Sequence, residues 1–329
     1  MNPVLAELIK TEKFKDYLER IKNTNAPIAI LGLAGVGVEQ IASCTETELK
    51  RPICLITYNE LQAKKLTEEL LNYTSEVYFF PKREILVYDY ILESKELPYE
   101  RIEVLKKIKS GKIKILVCSV ESLLQPIIPK EVLFKNEISL NVGKTYELEN
   151  LKRKISMLGY NKTELIGGKG EFCSRGGILD ISFDDDYGIR IEFWGDEIDS
   201  IRKFDIQTQR SIEMIENIKI SPLHEFLLED DLEKVCNRIS ENINKYTKNQ
   251  QNNVMEDIKL IKEGEYISKV DKYFEYFYSR KSTLLDYITE KYIFLLEEPK
   301  KILARGKNIL NDIENLENAL IEKERIIPN

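Results

Sequence analysis

Histidine and tryptophan are almost absent from this sequence of 329 residues, which contains one of each, His224 and Trp194. A single histidine is too few for a histidine-based zinc site or a histidine-dependent catalytic triad, so we expect no metal site and no histidine-based catalysis in this chain. His224 is predicted to be a packing or surface residue. Five cysteines stand far apart with no C-x-x-C pair, which predicts reduced cysteines in the core of a cytoplasmic protein.

Long apolar runs and a secretory leader are also lacking. No run approaches the ~18 consecutive apolar residues of a membrane span. Residues 1–10 contain no basic stretch followed by an apolar core, the pattern of a secretory signal. We therefore expect cytoplasmic localisation and no membrane partner.

A basic excess is missing as well, because 49 Lys and Arg residues stand against 56 Asp and Glu residues, a net charge of −7. Nucleic-acid surfaces usually carry such an excess, so the balance favours a protein partner. Two small basic clusters, Lys82-Arg83 and Lys152-Arg153-Lys154, are predicted to be solvated faces of a loop and a helix. A weak DNA-binding clamp that uses them remains an alternative.

What the sequence does contain is an alternation of short apolar runs and helical patterns over residues 1–135. This alternation predicts a parallel sheet flanked by helices. The runs are continuously apolar, as in strands that are buried on both faces. The predicted strands are Ile28–Leu31, Ile53–Thr57, Val77–Phe80 and Ile113–Cys118.

Residues 136–222 have a different character, with short strands between Gly-Gly and Asp-rich turns, which predicts a mostly antiparallel α+β domain. Residues 223–329 are largely helical, but the apolar run Tyr292–Leu296 is too isolated to form its own sheet. We expect it to complete the sheet of residues 1–135. The predicted fold is therefore an α/β, ATPase-like domain formed by both chain ends, with an inserted α+β domain.

A glycine loop follows the first predicted strand. Gly32 and Gly37 match both glycines of the phosphate-binding motif G-x-x-x-x-G-K-[ST], but Val38 and Glu39 replace the lysine and the hydroxyl residue. These side chains hold the phosphates and magnesium, and Glu39 would compete with an anion for the amides of the helix N-terminus. We predict a degenerate Walker A loop that binds no cofactor. Glu297, after the last apolar strand, is predicted to be a solvated strand end.

Residues 189–194 alternate cleanly between two faces of a strand. Arg190 and Trp194 share the polar face, and Arg175 ends a neighbouring predicted strand. Arginine and tryptophan dominate the hot spots of protein interfaces. The alternation leaves two possibilities open for Trp194, namely a contact with a partner protein or packing against another domain of the chain.

Several stretches resemble the N-terminal module of the bacterial transcription-repair coupling factors, the Mfd family. The resemblance rests on residues 80–90, 97–101, 170–180, 190–199 and 204–210 and spans nearly the whole chain. It implies a degenerate RecA-like (P-loop) domain with an inserted domain that is shared with the repair protein UvrB. UvrB keeps an intact phosphate-binding loop and a long β-hairpin after its Tyr-Asp-Tyr region. Tyr88-Asp89-Tyr90 passes within a few residues into Leu97-Pro98 here, which leaves no room for that hairpin.

The resemblance also implies a function, which is nucleotide-excision repair coupled to transcription. The inserted domain would bind UvrA through Arg175, Arg190 and Trp194, where Trp194 departs from an expected phenylalanine, and would recruit UvrA to lesion-stalled RNA polymerase. The docking face would be masked by other domains of the full-length protein until polymerase is engaged. A translocase motor that uses ATP and magnesium, and the contacts with RNA polymerase and DNA, would lie outside this chain. The alternative is a UvrB-like DNA-dependent ATPase.

Overall fold

The structure is a computed structural model that describes residues 2–24, 26–33, 35–83, 96–227, 231–241, 243–245, 247–263 and 271–322. It is a mixed α/β fold with parallel and antiparallel sheets. The chain forms two compact units. The first consists of Met1–Ile127, Leu232–Tyr276 and Arg280–Asn329, and the second of Ile128–Asp231 with Phe277–Ser279. The predicted boundaries, 135/136 and 222/223, lie within the span of the second unit.

The elements are numbered here in chain order. The helices are α1 (Pro3–Lys10), α2 (Glu12–Asn23), α3 (Gly37–Leu49), α4 (Glu60–Leu70), α5 (Glu96–Ser110), α6 (Val120–Leu124), α7 (Lys130–Lys135), α8 (Leu148–Met157), α9 (Leu232–Ser240), α10 (Lys248–Glu263) and α11 (Pro299–Glu322). The strands are β1 (Ile53–Thr57), β2 (Val77–Phe80), β3 (Ile115–Ser119), β4 (Ile138–Asn141), β5 (Asn161–Lys162), β6 (Glu171–Arg175), β7 (Ile178–Ser182), β8 (Tyr187–Trp194), β9 (Glu197–Asp205), β10 (Ser211–Met214), β11 (Asn217–Ile220) and β12 (Ile293–Leu296). Short 3-10 helices cover Ile243–Lys245, Asp271–Phe277 and Leu284–Asp286.

The first unit contains a four-stranded parallel sheet in the order β12-β1-β3-β2. β1 and β3 are buried along their whole length, as their continuous apolar sequences predict. β12 pairs with β1, Ile293 opposite Ile53. The prediction that the late apolar run completes this sheet is confirmed. Core residues such as Leu55, Leu66 and Val117 fill the space between the sheet and α3 and α4.

The predicted strand Ile28–Leu31 is wrong, because residues 27–33 form no helix or strand. Ile28 packs against the cluster that α1, α2 and α3 form around Phe14, while Leu31 is 89% exposed. A short apolar run does not by itself distinguish a strand from a linker whose apolar side chains pack locally. Here Ile28 is used for helix packing, and no sheet neighbour pairs with the run.

The second unit contains a six-stranded sheet in the order β10-β9-β8-β7-β6-β5 and a two-stranded sheet, β11-β4. All neighbours pair antiparallel except β5 and β6. The mostly antiparallel character predicted for this region is confirmed. Ile181, Ile191 and Ile201 are among the fully buried residues of the sheet.

His224 packs beneath the C-terminal end of α8. Gly159 follows that helix with φ +97°, and a Cβ there would lie 2.3 Å from His224 Cδ2, so no side chain fits on two counts. The Phe226 N–H donates to His224 Nδ1 at 3.1 Å, and burial lowers the pKa of His224 to about 4. The packing role predicted for this histidine is confirmed.

The five cysteines are buried and form no disulfide, as predicted. Among the described helices, none has both the length and the apolar character needed to cross a membrane.

Candidate functional site

The glycine loop of the first unit contains two glycines with positive φ but lacks the strand before it. Gly32 and Gly35 adopt positive φ values of +80° and +58°, a conformation that favours glycine. Helix α3 begins at Gly37, without a side-chain cap at Val36. Val38 packs against the apolar core. The position that would carry the phosphate-binding lysine is therefore an ordinary core contact.

Glu39 points into the protein and is only 2% exposed. Burial raises its pKa to about 7, with a hydrogen bond to Glu69 and the charges of Glu69 and Glu297 adding to the effect. Its own backbone N–H donates to the carboxylate, and its Oε2 atom has no hydrogen-bond partner among the described residues. No cluster of carboxylates in the described part of the chain is arranged to hold a metal ion. A buried carboxyl group thus occupies the sequence position where the motif requires a magnesium-binding hydroxyl.

Glu297 lies at the carboxyl end of β12, where the prediction of a solvated strand end is wrong. Thr57 Oγ1 donates a short hydrogen bond to its Oε2 atom, and Gln62 Nε2 donates to its Oε1 atom at 2.7 Å. The Glu297 carboxylate thereby links β12 to β1 and α4. It can reach Thr57 because β12 and β1 are adjacent parallel strands that end side by side. The following residue, Glu298, is exposed.

The cluster Lys82-Arg83 is not a solvated face either. The Lys82 ammonium lies 2.8 Å from Glu121, and Arg305 Nε donates to the same carboxylate at 2.7 Å. Burial opposes ionisation of Glu121, but the bonds from these two cations outweigh it and lower its pKa. The Arg83 guanidinium stacks over the Phe274 ring at 4.0 Å. In the second cluster, Arg153 and Lys154 on α8 are exposed, as predicted, whereas Lys152 is half-buried and pairs with Glu149.

Strand β8 of the second unit has the predicted alternation. Ile189, Ile191 and Phe193 are buried, and Trp194 is 85% exposed. We define the docking face as the face of the six-stranded sheet that carries Arg190 and Trp194. Trp194 is thus exposed on the docking face of its own unit, and the two possibilities for it stay open.

Arg190 is held on the docking face by several groups of its own unit. Its Nε and Nη2 atoms donate to Oδ1 and Oδ2 of Asp180 at 2.7 and 2.8 Å. Nη2 also donates to Gln209 at 3.1 Å, and the guanidinium stacks over the Phe204 ring at 4.7 Å. Two of its three nitrogens are thus used within the unit, where Asp180 supplies a carboxylate partner for Arg190.

Arg175 is more accessible. It lies at the exposed end of β6, where its Nη2 atom donates to the backbone carbonyl of Glu164. It forms no ion pair with any residue that the structure describes. Its cross-strand neighbour Ile178 is 36% exposed. Arg175 therefore presents an uncompensated positive charge beside apolar surface.

The register brings the three predicted site residues onto one face. Arg175 pairs with Ile178, and Ile178 with Glu192, which precedes Trp194 by two residues. Strands lie ~4.8 Å apart and rise ~3.3 Å per residue, so the three sites form a triangle with sides of about 12 to 13 Å. Such a footprint fits the centre of a protein interface.

Comparisons with known proteins point to the same region. A family model described as the UvrB interaction domain matches residues 138–226, which include all three site residues. The chain is 26% identical over 340 residues to the transcription-repair-coupling factor of Bacillus subtilis (strain 168), covering 99% of this chain and 29% of the relative. It is 27% identical over 334 residues to that of Staphylococcus haemolyticus (strain JCSC1435), covering 98% and 28%. The predicted resemblance to this family is confirmed. The match fits an N-terminal module.

The hairpin predicted to be absent after Tyr88-Asp89-Tyr90 lies outside the described residues. Within them, sequence reasoning missed the partners of Arg190, above all Asp180 and Gln209. A signal for Asp180 existed. It is the acidic residue of β7 that stands opposite Arg190 once β7 and β8 are paired as a hairpin. Gln209 gave no comparable signal, because it comes from the turn after β9.

Proposed function

We propose that this chain is a non-catalytic, UvrA-docking module of a transcription-repair-coupling factor, which recruits UvrA to RNA polymerase stalled at a DNA lesion. The observation that carries the proposal is the exposed Trp194 on the same face as Arg175, which has no ion pair among the described residues, within the segment that matches the UvrB interaction domain. An exposed tryptophan next to arginines is the composition of an interface hot spot. Because the chain spans 29% of the length of the Bacillus subtilis relative, translocation on DNA and contact with polymerase would belong to other parts of such a protein.

The first unit is proposed to be a degenerate RecA-like scaffold that binds neither ATP nor magnesium. Support comes from Val38, which packs in the core, and from Glu39, whose buried carboxylate would repel phosphates. Glu297 is already bonded to Thr57 and Gln62. A nucleotide would have to displace these bonds without a lysine to compensate for its charge.

Calorimetric titration of the chain with purified UvrA tests the docking role. We expect Trp194→Ala to weaken binding by at least about tenfold, as truncation of an interface anchor does. The triple variant Arg175→Ala, Arg190→Ala, Trp194→Ala should bind too weakly to measure. Arg153→Ala, which removes an exposed arginine from α8 of the same unit, is the matched control and should bind as the wild type does.

Two other outcomes would contradict the proposal. Unchanged UvrA binding by the triple variant would remove the docking face from consideration. Saturable binding of ATP by the chain would favour a UvrB-like ATPase. Such binding would be detected as an increase in stability of about 2.7 kcal/mol when ATP is present at ~100 times its Kd. Of the two basic clusters that a DNA clamp would use, Lys82-Arg83 is disfavoured, since both side chains are engaged within the first unit. Arg153 and Lys154 are exposed, and a steep salt dependence of DNA affinity would favour a clamp through them.

A further inference from the structure

We propose that the docking face divides recognition between two arginines. Arg175 attracts an acidic segment of the partner through its net charge. Arg190 instead donates a hydrogen bond in a fixed direction, because the positioning residue Asp180 holds its guanidinium in place and neutralises its charge. This inference rests on the proposed function, because it concerns how the same face binds UvrA. Arg175 and Arg190 would then contribute differently to UvrA affinity, although the sequence assigns both the same role.

The Asp180–Arg190 pair is the first ground for this division. Asp180 is 5% exposed, and both of its carboxylate oxygens accept from Arg190. Such a two-point pair fixes the plane of the guanidinium, and the Phe204 ring below it and Gln209 beside it remove the remaining freedom. The Nη1 atom makes no hydrogen bond to the described residues. Arg190 can therefore offer a partner one oriented NH2 group, with its charge already balanced.

A second pair on the same face follows the same pattern. Arg202 stands directly opposite Arg190 on β9, an arrangement of like charges that destabilises a sheet unless it is compensated. Glu192 provides the compensation, because it accepts a short bond from Arg202 Nη2 and another from Ser200 Oγ at 2.8 Å. The middle of the docking face thus carries two cations and two anions that cancel.

Arg175 is the cation left over. The register puts two further carboxylates on this face, Glu171 and Glu197. Glu171 accepts from the backbone of Gly167 at 2.7 Å and lies about 13 Å away along β6, and Glu197 lies three strands away. Neither is placed to neutralise Arg175. With Ile178 and Trp194 exposed nearby, the surface fits a segment that carries a carboxylate next to an apolar side chain.

The dependence of UvrA affinity on salt separates the two roles. Binding would be measured at about 0.05 and 0.4 M salt, on either side of the ~0.1 M at which charges are screened beyond about 10 Å. Arg175→Gln should weaken binding about tenfold at low salt and about twofold at high salt, because rim charges act through long-range attraction. The double variant Asp180→Asn, Arg190→Gln removes one charge of each sign and strands no buried carboxylate. It should lose affinity by the same factor at both salts.

Each result decides. If Arg175→Gln loses equally at both salts, or if the double variant flattens the salt dependence, the division is overturned while docking itself stands. If wild-type chain does not bind UvrA at either salt, the proposed function fails and the division fails with it. Arg153→Gln is the matched control for a change in net charge and should reproduce the wild-type salt dependence.

Discussion

The carboxyl edge of the parallel sheet and the docking face of the antiparallel sheet both concentrate charged side chains, but they use them differently. At the edge, Glu297 accepts from Thr57 and Gln62, and Glu121 accepts from Lys82 and Arg305. On the docking face the inner charges also pair, yet at the rim Arg175 has no ion pair with the residues that the structure describes, and Trp194 is 85% exposed.

This difference separates a scaffold from a binding surface. A ligand at the sheet edge would have to break hydrogen bonds between half-buried groups, and each group left unsatisfied costs about 1 to 3 kcal/mol. A partner on the docking face has only to desolvate an exposed indole and one accessible guanidinium. Polar groups that are hydrogen-bonded within the chain hold strands and helices together, whereas polar groups with free hydrogen-bond donors remain available to bind a partner.

Among the variants that test this comparison, Arg190→Ala is expected to have the largest effect on the free energy of unfolding. The change leaves Asp180, which is 5% exposed, without its partner. Breaking one side of a buried ion pair typically costs 3 to 5 kcal/mol, and because Arg190 is itself partly exposed we expect about 3 kcal/mol. Urea unfolding of the second unit, followed by circular dichroism, measures it.

The double variant Asp180→Asn, Arg190→Gln is the control for that experiment. It should lose about 1 kcal/mol, because both charges leave together and the amides can still bond. A double variant as unstable as Arg190→Ala would mean that shape rather than charge pairing holds this part of the sheet. The docking face would then no longer contrast with the sheet edge.

Much of the sheet organisation follows from the sequence, for physical reasons. Continuous apolar runs predict β1, β2 and β3 because strands buried on both faces need apolar residues at every position. The isolated run at β12 has to join an existing sheet, since its backbone groups would otherwise be unpaired. The alternation in β8 likewise predicts which face carries Trp194. These features depend on local pattern and on backbone hydrogen bonding.

What the sequence could not predict depends on contacts between distant residues. Ile28–Leu31 has the composition of a strand, but packing against α1 and α2 decides its conformation. Glu297 was expected in solvent because its partners come from β1 and α4, about 240 residues earlier in the chain. The inward turn of Glu39 and the pairing of Arg190 with Asp180 likewise depend on how elements pack. The assignment of Arg175, Arg190 and Trp194 to UvrA binding stays a prediction.

A smaller effect is expected at Glu39, and its sign follows from the shifted pKa. The pKa rises from the usual 4.5 to about 7 on folding, so between these values the folded chain holds a proton that the unfolded chain has released. Stability should therefore fall as pH rises through this range and level off above about 7. Glu39→Gln should remove this pH dependence. Between pH 5 and pH 8 the free energy of unfolding should therefore fall by about 1 to 2 kcal/mol less in the variant than in the wild type.

Thermal unfolding of wild type and variant at the two pH values measures this difference. Glu298→Gln, which changes an exposed carboxylate in the same unit, should leave the pH dependence as it is. An equal pH dependence in wild type and Glu39→Gln would show that Glu39 is ionised and solvated. The sheet edge would then be accessible to a ligand, as the docking face is.

The smallest effect on stability is expected where the largest effect on binding is proposed. Phe193 and Trp194 are neighbours on β8 that face opposite sides of the sheet, and they are 9% and 85% exposed. Trp194→Ala should change the free energy of unfolding by less than about 0.5 kcal/mol, as surface substitutions do. Phe193→Ala should lower it by about 3 kcal/mol because it leaves a cavity. Urea unfolding of both variants makes the comparison. If Trp194→Ala proved as destabilising as Phe193→Ala, the indole would be packing within the chain, and the docking face would lose the exposed anchor that distinguishes it from the sheet edge.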